Sequence, residues 1–159
     1  MKTRLISLAV ALGCLLLWSC TDDVVINQNQ DISQGIWHVD SLASFTFEIP
    51  DSTNQYNISY HVRNAVNYPF YNLYVTYYLE DSAANILDSK LQELILFDKK
   101  SGQPLGEGMG DLFDNEILVF KNKKFDYSGT YTFKIKQFMR MEELPGIMSF
   151  GLKVQQTEL

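Results

Sequence analysis

The chain has 159 residues, 13 basic against 19 acidic, with a formal net charge of −6 at pH 7. An acidic surplus argues against nucleic-acid binding, whose affinity comes from Lys and Arg set against phosphates. Both cysteines, Cys14 and Cys20, are N-terminal, so the remainder offers no disulfide, thiolate metal site or thiol nucleophile.

Residues 1–19 read as a secretory signal. Lys2 and Arg4 give the positive start, the run from Leu5 to Leu17 is apolar, and Ser19 supplies a small residue at the cleavage point. Cys20 follows directly, with Leu17 three residues before it, and this arrangement resembles the bacterial lipobox. A small Ser19 lets a peptidase reach the scissile bond, and the Cys20 thiolate is the nucleophile that takes diacylglycerol. A plain transmembrane anchor is the alternative, but only about 15 residues are apolar where roughly 20 are needed. Cys14 sits inside the apolar run, and acylation there would leave too short a hydrophobic stretch. Cleavage before Cys20 removes Lys2 and Arg4 and no acid, so the mature charge is near −8. That balance gives no polybasic help, and attachment to a membrane would rest on several acyl chains, which suffice where one is marginal.

Residues 20–34 are expected to be an acylated N-terminus and a polar tether. Asp22, Asp23, Asn27, Gln28, Asn29, Gln30 and Asp31 leave too little apolar surface to offset chain entropy. Val24-Val25-Ile26 could still make a short edge strand. Asp22-Asp23 resembles an acidic signal that sends some lipid-anchored proteins to the cell surface, and reads equally as a solvated linker.

Residues 35–159 are expected to form one domain. Phe45, Phe47 and Ile49 alternate with Thr46 and Glu48, the period-two sign of a half-buried strand. Pro50 to Asn54 then turns the chain. Tyr56, Ile58, Tyr60 and Val62 make the next inward row, with His61 and Arg63 outward. Leu73, Val75, Tyr77 and Leu79 alternate with Tyr74, Thr76 and Tyr78; rings on both faces suit a central strand. Asp81 to Asn85 reads as a hairpin turn; Leu91 to Phe97 fits a strand or a short helix, and Ile95, Leu96 and Phe97 favour the strand. Asp111 to Glu116 is expected to make one helical turn, and Ile117 to Phe120 a short strand. Tyr131, Phe133 and Ile135, then Met148, Phe150, Leu152 and Val154, complete the inward rows. Seven or eight short strands between turn signals predict an all-β fold, an antiparallel β-sandwich, with jelly-roll-like and immunoglobulin-like topologies both open.

Catalytic chemistry is thinly represented. His38 and His61 have no obvious partners, and no Ser sits in a Gly-x-Ser-x-Gly elbow. Gly106, Gly108 and Gly110 lack the βαβ context of a phosphate loop and read as a bend or bulge. Asp111, Asp114 and Glu116 are hard oxygen donors, but their spacing is not that of an EF-hand loop. No metal, cofactor or enzymatic activity is therefore expected. Tyr68, Phe70, Tyr71, Tyr74 and Tyr78 are the candidate contact surface, for a protein partner or, alternatively, a carbohydrate; core packing is the plainer use of such rings. A hydrolase built on some pair of the many carboxylates is the third reading.

Several ordered motifs carry a resemblance. They are Trp37-His38 with Asp40, Phe45-x-Phe47-x-Ile49-x-Asp51, Tyr56, Val62-Arg63-Asn64 and Tyr68-Pro69-Phe70-x-Asn72-Leu73. In the second half they are Leu105-Gly106-x-Gly108-x-Gly110-Asp111, Ser128-Gly129-Thr130-Tyr131, Met139-Arg140, Leu144-x-Gly146-Ile147 and Gly151-Leu152. Together with the lipidated N-terminus, this set resembles the gliding-motility lipoprotein H family (GldH) across almost the whole mature chain. The resemblance implies an envelope protein, lipid-anchored at the outer membrane on a face left open. It further implies work beside other motility lipoproteins and the envelope-spanning motility and secretion apparatus, and it brings no catalytic residue.

Overall fold

The computed structural model describes residues 23–157; the signal segment and Cys20 lie outside them. In chain order the strands are β1 (Val24–Asp31), β2 (Ile36–His38), β3 (Leu42–Ile49), β4 (Tyr56–Ala65), β5 (Asn72–Glu80) and β6 (Ile86–Ile95). They continue with β7 (Glu107–Met109), β8 (Leu112–Lys123), β9 (Gly129–Gln137), β10 (Glu143–Pro145) and β11 (Ile147–Gln156). A 3-10 turn at Ser33–Gly35 joins β1 to β2.

Two antiparallel sheets face each other. One has the order β1-β11-β4-β8-β7 and the other β3-β9-β5-β6, while β10 and β2 pair separately. The alternation read from the sequence sets their inner faces: Phe45 and Ile49, Ile58 and Val62, Leu73 and Val75, Phe133 and Ile135, and Leu152 and Val154 are all buried. β5 lies between β9 and β6, as rings on both its faces suggested. Aromatic contacts knit the layers: Tyr60 lies 5.2 Å from Phe150 and 6.0 Å from Phe133, which stacks on Tyr77 at 5.2 Å. β1, β4 and β8 respectively begin, begin and end at one end of the sandwich, where Val24 pairs with Gln155 and Tyr56 pairs with both Gln156 and Lys123. We call this the near end, and the opposite one the far end.

Three expectations are corrected. Most of the stretch taken for a tether is β1, which pairs with β11 from Val24 to Asp31. As an edge strand it buries little, so it needs no alternating apolar row, and backbone pairing holds polar residues in the sheet. Residues 112–116 are strand, not a helical turn. Gly110, at φ 71, makes the tight turn between β7 and β8, and β8 then runs alongside β4 for twelve residues. Met148 is not in the inner row: a register shift between Ile147 and Ser149 aims Ile147 inward and sets Met148 against Gly35.

Aspartates organise the turns. Asp51 Oδ1 accepts from the Thr53 N–H at 2.8 Å, Asp81 Oδ1 from the Ala83 and Asn85 N–H groups, and Asp98 Oδ1 from those of Lys100 and Ser101. The side-chain bonds from Thr53 and Asn85, and the backbone bond from Ser101, hold these three carboxyls below the usual range. A folded-state pKa below the unfolded value stabilises the fold above the unfolded pKa and ceases to do so as pH falls through the folded value. Urea midpoints should therefore be level from neutrality to about pH 5 and fall below it. Asp81→Asn should flatten part of that fall; acid dependence identical to wild type would contradict the assignment.

Candidate functional site

Gln137 is the residue from which the site is built. It ends the inward row of β9 with no exposure, and a buried amide must find partners. Its Nε2 donates to the Met141 carbonyl at 2.8 Å and its Oε1 accepts from the Met139 N–H at 2.7 Å. The Phe138 N–H donates to the Tyr74 carbonyl at 2.7 Å, and the Tyr74 N–H points to Met139 Sδ at 3.2 Å. Residues 138–141 are thus clamped over the start of β5. Phe138, next after the inward Gln137, turns outward and is 60% exposed.

The result is a groove of about 450 Å³ on the outer side of the four-stranded sheet, lined by Phe70, Tyr74, Leu91, Phe138, Met139 and Arg140. It lies toward the far end. Apolar walls with one guanidinium suit an apolar side chain of a partner flanked by a carboxylate. The Tyr74 hydroxyl is raised from its ordinary pKa, chiefly by its hydrogen bond to Glu93, whose carboxylate also accepts from Asn72 Nδ2 at 2.6 Å.

The five rings singled out from the sequence divide. Phe70 and Tyr74 line the groove. Tyr71 is half-buried beside it, under the Lys99 ammonium at 5.2 Å. Tyr78 is half-buried, paired with Lys134 and Ser89 farther along the sheet. Tyr68 is 5% exposed, stacked on Phe97 with its hydroxyl on the Asn72 carbonyl at 2.9 Å; burial pushes that hydroxyl's pKa well up. Leu91, Phe138, Met139 and Arg140 were missed. Their signal was an apolar residue at an outward position: Leu91 in β6, and Phe138 one step past the row Tyr131, Phe133, Ile135.

The outer side of the five-stranded sheet carries a second, polar cleft of about 750 Å³ that includes Asp31, His61, Arg63, Asp114 and Glu116. Of its charged groups, Arg63, Asp114 and Glu116 are paired. Arg63 donates to both Asp114 oxygens, at 2.8 and 2.9 Å, which lowers the Asp114 pKa and raises that of Arg63. Lys153 Nζ donates to Glu116 Oε1 at 3.1 Å. His61 Nε2 lies 4.0 Å from Glu116 Oε2, buried and without a hydrogen-bond partner among the described residues. His38 is elsewhere, its Nδ1 accepting from the Asp40 N–H at 3.2 Å. Asp111 sits in the β7–β8 turn, apart from the outward Asp114 and Glu116. Among the described residues no three His, Cys, Asp or Glu side chains form a metal-holding group, and no helix is long and apolar enough to cross a membrane.

The family described as GldH lipoprotein matches residues 24–154. The chain is 29% identical over 151 residues to a gliding motility lipoprotein GldH homolog of Christiangramia forsetii, covering 91% of each. It is 28% identical over 154 residues to gliding motility lipoprotein GldH of Flavobacterium johnsoniae, covering 92% of this chain and 94% of that one. Among solved structures it has a TM-score of 0.35 and 13% identity to an infectious bursal disease virus VP2 subviral particle, over 84% of this chain and 31% of that one. Another structure of that virus, strain Gx, gives a TM-score of 0.29 and 12% identity over 85% of this chain. The chain spans under a third of either viral chain.

Proposed function

Because the chain belongs to the GldH lipoprotein family, we propose that it is a lipid-anchored component of the gliding motility machinery that acts by docking to protein partners rather than by catalysis. In this reading residues 1–19 are removed, Cys20 carries the lipid at the outer membrane, and the sandwich from β1 onward is the docking body. The partners are other motility lipoproteins or the envelope complex that spans to them. The motility role rests on the named relatives. The docking role rests on one observation: the Phe138 groove is preformed, apolar and held open by the buried Gln137. A rigid aromatic at the centre of an apolar patch is the usual shape of an energetic anchor.

Phe138→Asp tests this. It should leave stability within about 0.5 kcal/mol, as exposed substitutions do, while weakening partner binding by roughly 2 kcal/mol or more and stopping colony spreading. Leu118→Asp, also at an exposed residue but on the outer side of the other sheet, should spread normally. Normal spreading by folded, acylated Phe138→Asp would contradict the proposal.

A further inference from the structure

We infer that the near end of the sandwich rests on lipid headgroups, so that the domain stands with the Phe138 groove turned away from the membrane. This rests on the reading that Cys20 is acylated. The argument begins with chain length. Val24 is already paired with Gln155, and the Asp23 carbonyl accepts from the Gln156 N–H at 2.7 Å. From the Cys20 Cα to the Val24 Cα the chain can reach at most about 14 Å. Ten-residue strands such as β4 and β11 are each about 33 Å long. The near end is therefore held at the headgroup layer, and an upright domain carries its far end well beyond it.

The residues gathered at that end suit the contact. Lys121 and Lys123 close β8 and Lys124 follows it, beside the row where Lys123 pairs with Tyr56 and Tyr56 with Gln156. Lys123 is occupied, 3.9 Å from Asp88 and over the Phe120 and Phe125 rings. Lys121 and Lys124 are exposed and have no carboxylate partner among the described residues. Beside them stand Tyr127, 38% exposed and stacked on Tyr131, and the exposed Ile86 and Leu87 at the start of β6. Lysines that reach phosphate, an amphipathic ring and a few aliphatic side chains are what an interface accepts.

Carboxylates also face this end: Asp23, Asp51, Asp81, Asp88 and Asp126. Asp51 and Asp81 are turned into their own loops, and Asp88 faces Lys123 and the Tyr77 hydroxyl. Charge alone would not bind this end to a membrane; the acyl chains hold it there and the lysines orient it. Lying flat is the competing pose. It would press Asp31, Arg63, Asp114, Glu116 and Lys153 of the five-stranded sheet into the interface, together with the exposed Leu105, Leu112 and Leu118.

Spin labels on the full-length acylated protein, in nanodiscs of phosphatidylethanolamine and phosphatidylglycerol, read the pose. Beyond Cys20 the chain has no cysteine, so single sites are clean. Nitroxides at Ser82→Cys and Asp126→Cys report the near end; Met109→Cys and Met141→Cys report the far end. A gadolinium-chelate headgroup lipid should enhance relaxation strongly at the first pair and leave the second pair unchanged. Adding Lys121→Glu and Lys124→Glu should reduce the near-end effect with the protein still on the disc. Equal effects at both ends, or a stronger far-end effect, overturn the inference while leaving acylation standing. Protein that fails to stay on the discs overturns the acylation reading and the pose with it.

Discussion

Phe133→Ala is expected to lower the free energy of unfolding by about 3–5 kcal/mol, the range for deleting a buried aromatic ring. Phe133 has no exposure, and its ring touches both sheets: Tyr77 of β5 at 5.2 Å, and Tyr60 and Phe120 of the opposite sheet at 6.0 and 6.1 Å. Collapse into the vacated space is resisted because two of those neighbours are pinned through their hydroxyls. The Tyr60 hydroxyl donates to Gln92 Oε1 at 2.7 Å, and the Tyr77 hydroxyl to Asp88 Oδ2 at 2.8 Å. A poorly collapsing site keeps its cavity, which places the cost high in the range. Thr132→Ala, next in sequence but on the outer face, should cost under about 0.5 kcal/mol. It loses a hydroxyl contact with Thr46 at 3.1 Å that water can replace. Urea midpoints compare the two variants; equal midpoints would mean the faces of β9 are reversed.

Gly151→Ala is expected to cost about 1–3 kcal/mol, the range for overpacking, and to act locally on β1. Gly151 pairs with Asn29 on one side and His61 on the other. A Cβ there would fall on the Asn29 side-chain amide and lie 2.8 Å from the Gln28 carbonyl oxygen. The amide can rotate away, but the backbone oxygen cannot move unless β1 shifts. β1 pairs with β11 alone, and on its other edge only the Gln30 side chain, which accepts from the Ser44 N–H at 3.2 Å, opposes the shift. Amide exchange over residues 26–30 should quicken while that of β9 is unchanged. Uniform protection with unchanged stability would show that the close approach is not needed.

The inward rows were legible because sheet geometry converts burial into strict alternation, and Phe45, Tyr60, Val75 and Phe133 all obey it. β1 was legible only in its apolar start, Val24-Val25-Ile26, because the rest of an edge strand is fixed by backbone bonds to β11, which are blind to side-chain polarity. The start of β8 was misread for a related reason: Gly110 and Asp111 signal a turn, but only the partner β4 decides that a strand follows. The register shift that re-aims Met148 has no local marker. The groove was half visible. Phe70 and Tyr74 stand in a conspicuous cluster, whereas Leu91 and Phe138 come from β6 and the end of β9, and only the fold brings these segments together. Within the cluster itself, sequence could not separate Tyr68, which packs inside, from Tyr74, which faces out.

The claim that this protein works as an anchored docking body is tested most directly at Cys20. Replacing the gene with a Cys20→Ala allele removes the acylation site, and β1 begins at Val24, so the fold from β1 onward is not touched. Export and folding are checked on the periplasmic fraction, and acylation by radiolabelled palmitate with detergent partitioning. The account predicts that wild type takes label and spreads, and that folded Cys20→Ala takes none, is left unprocessed or mislocalised, and fails to spread on agar. Full spreading by the unlabelled form would contradict it.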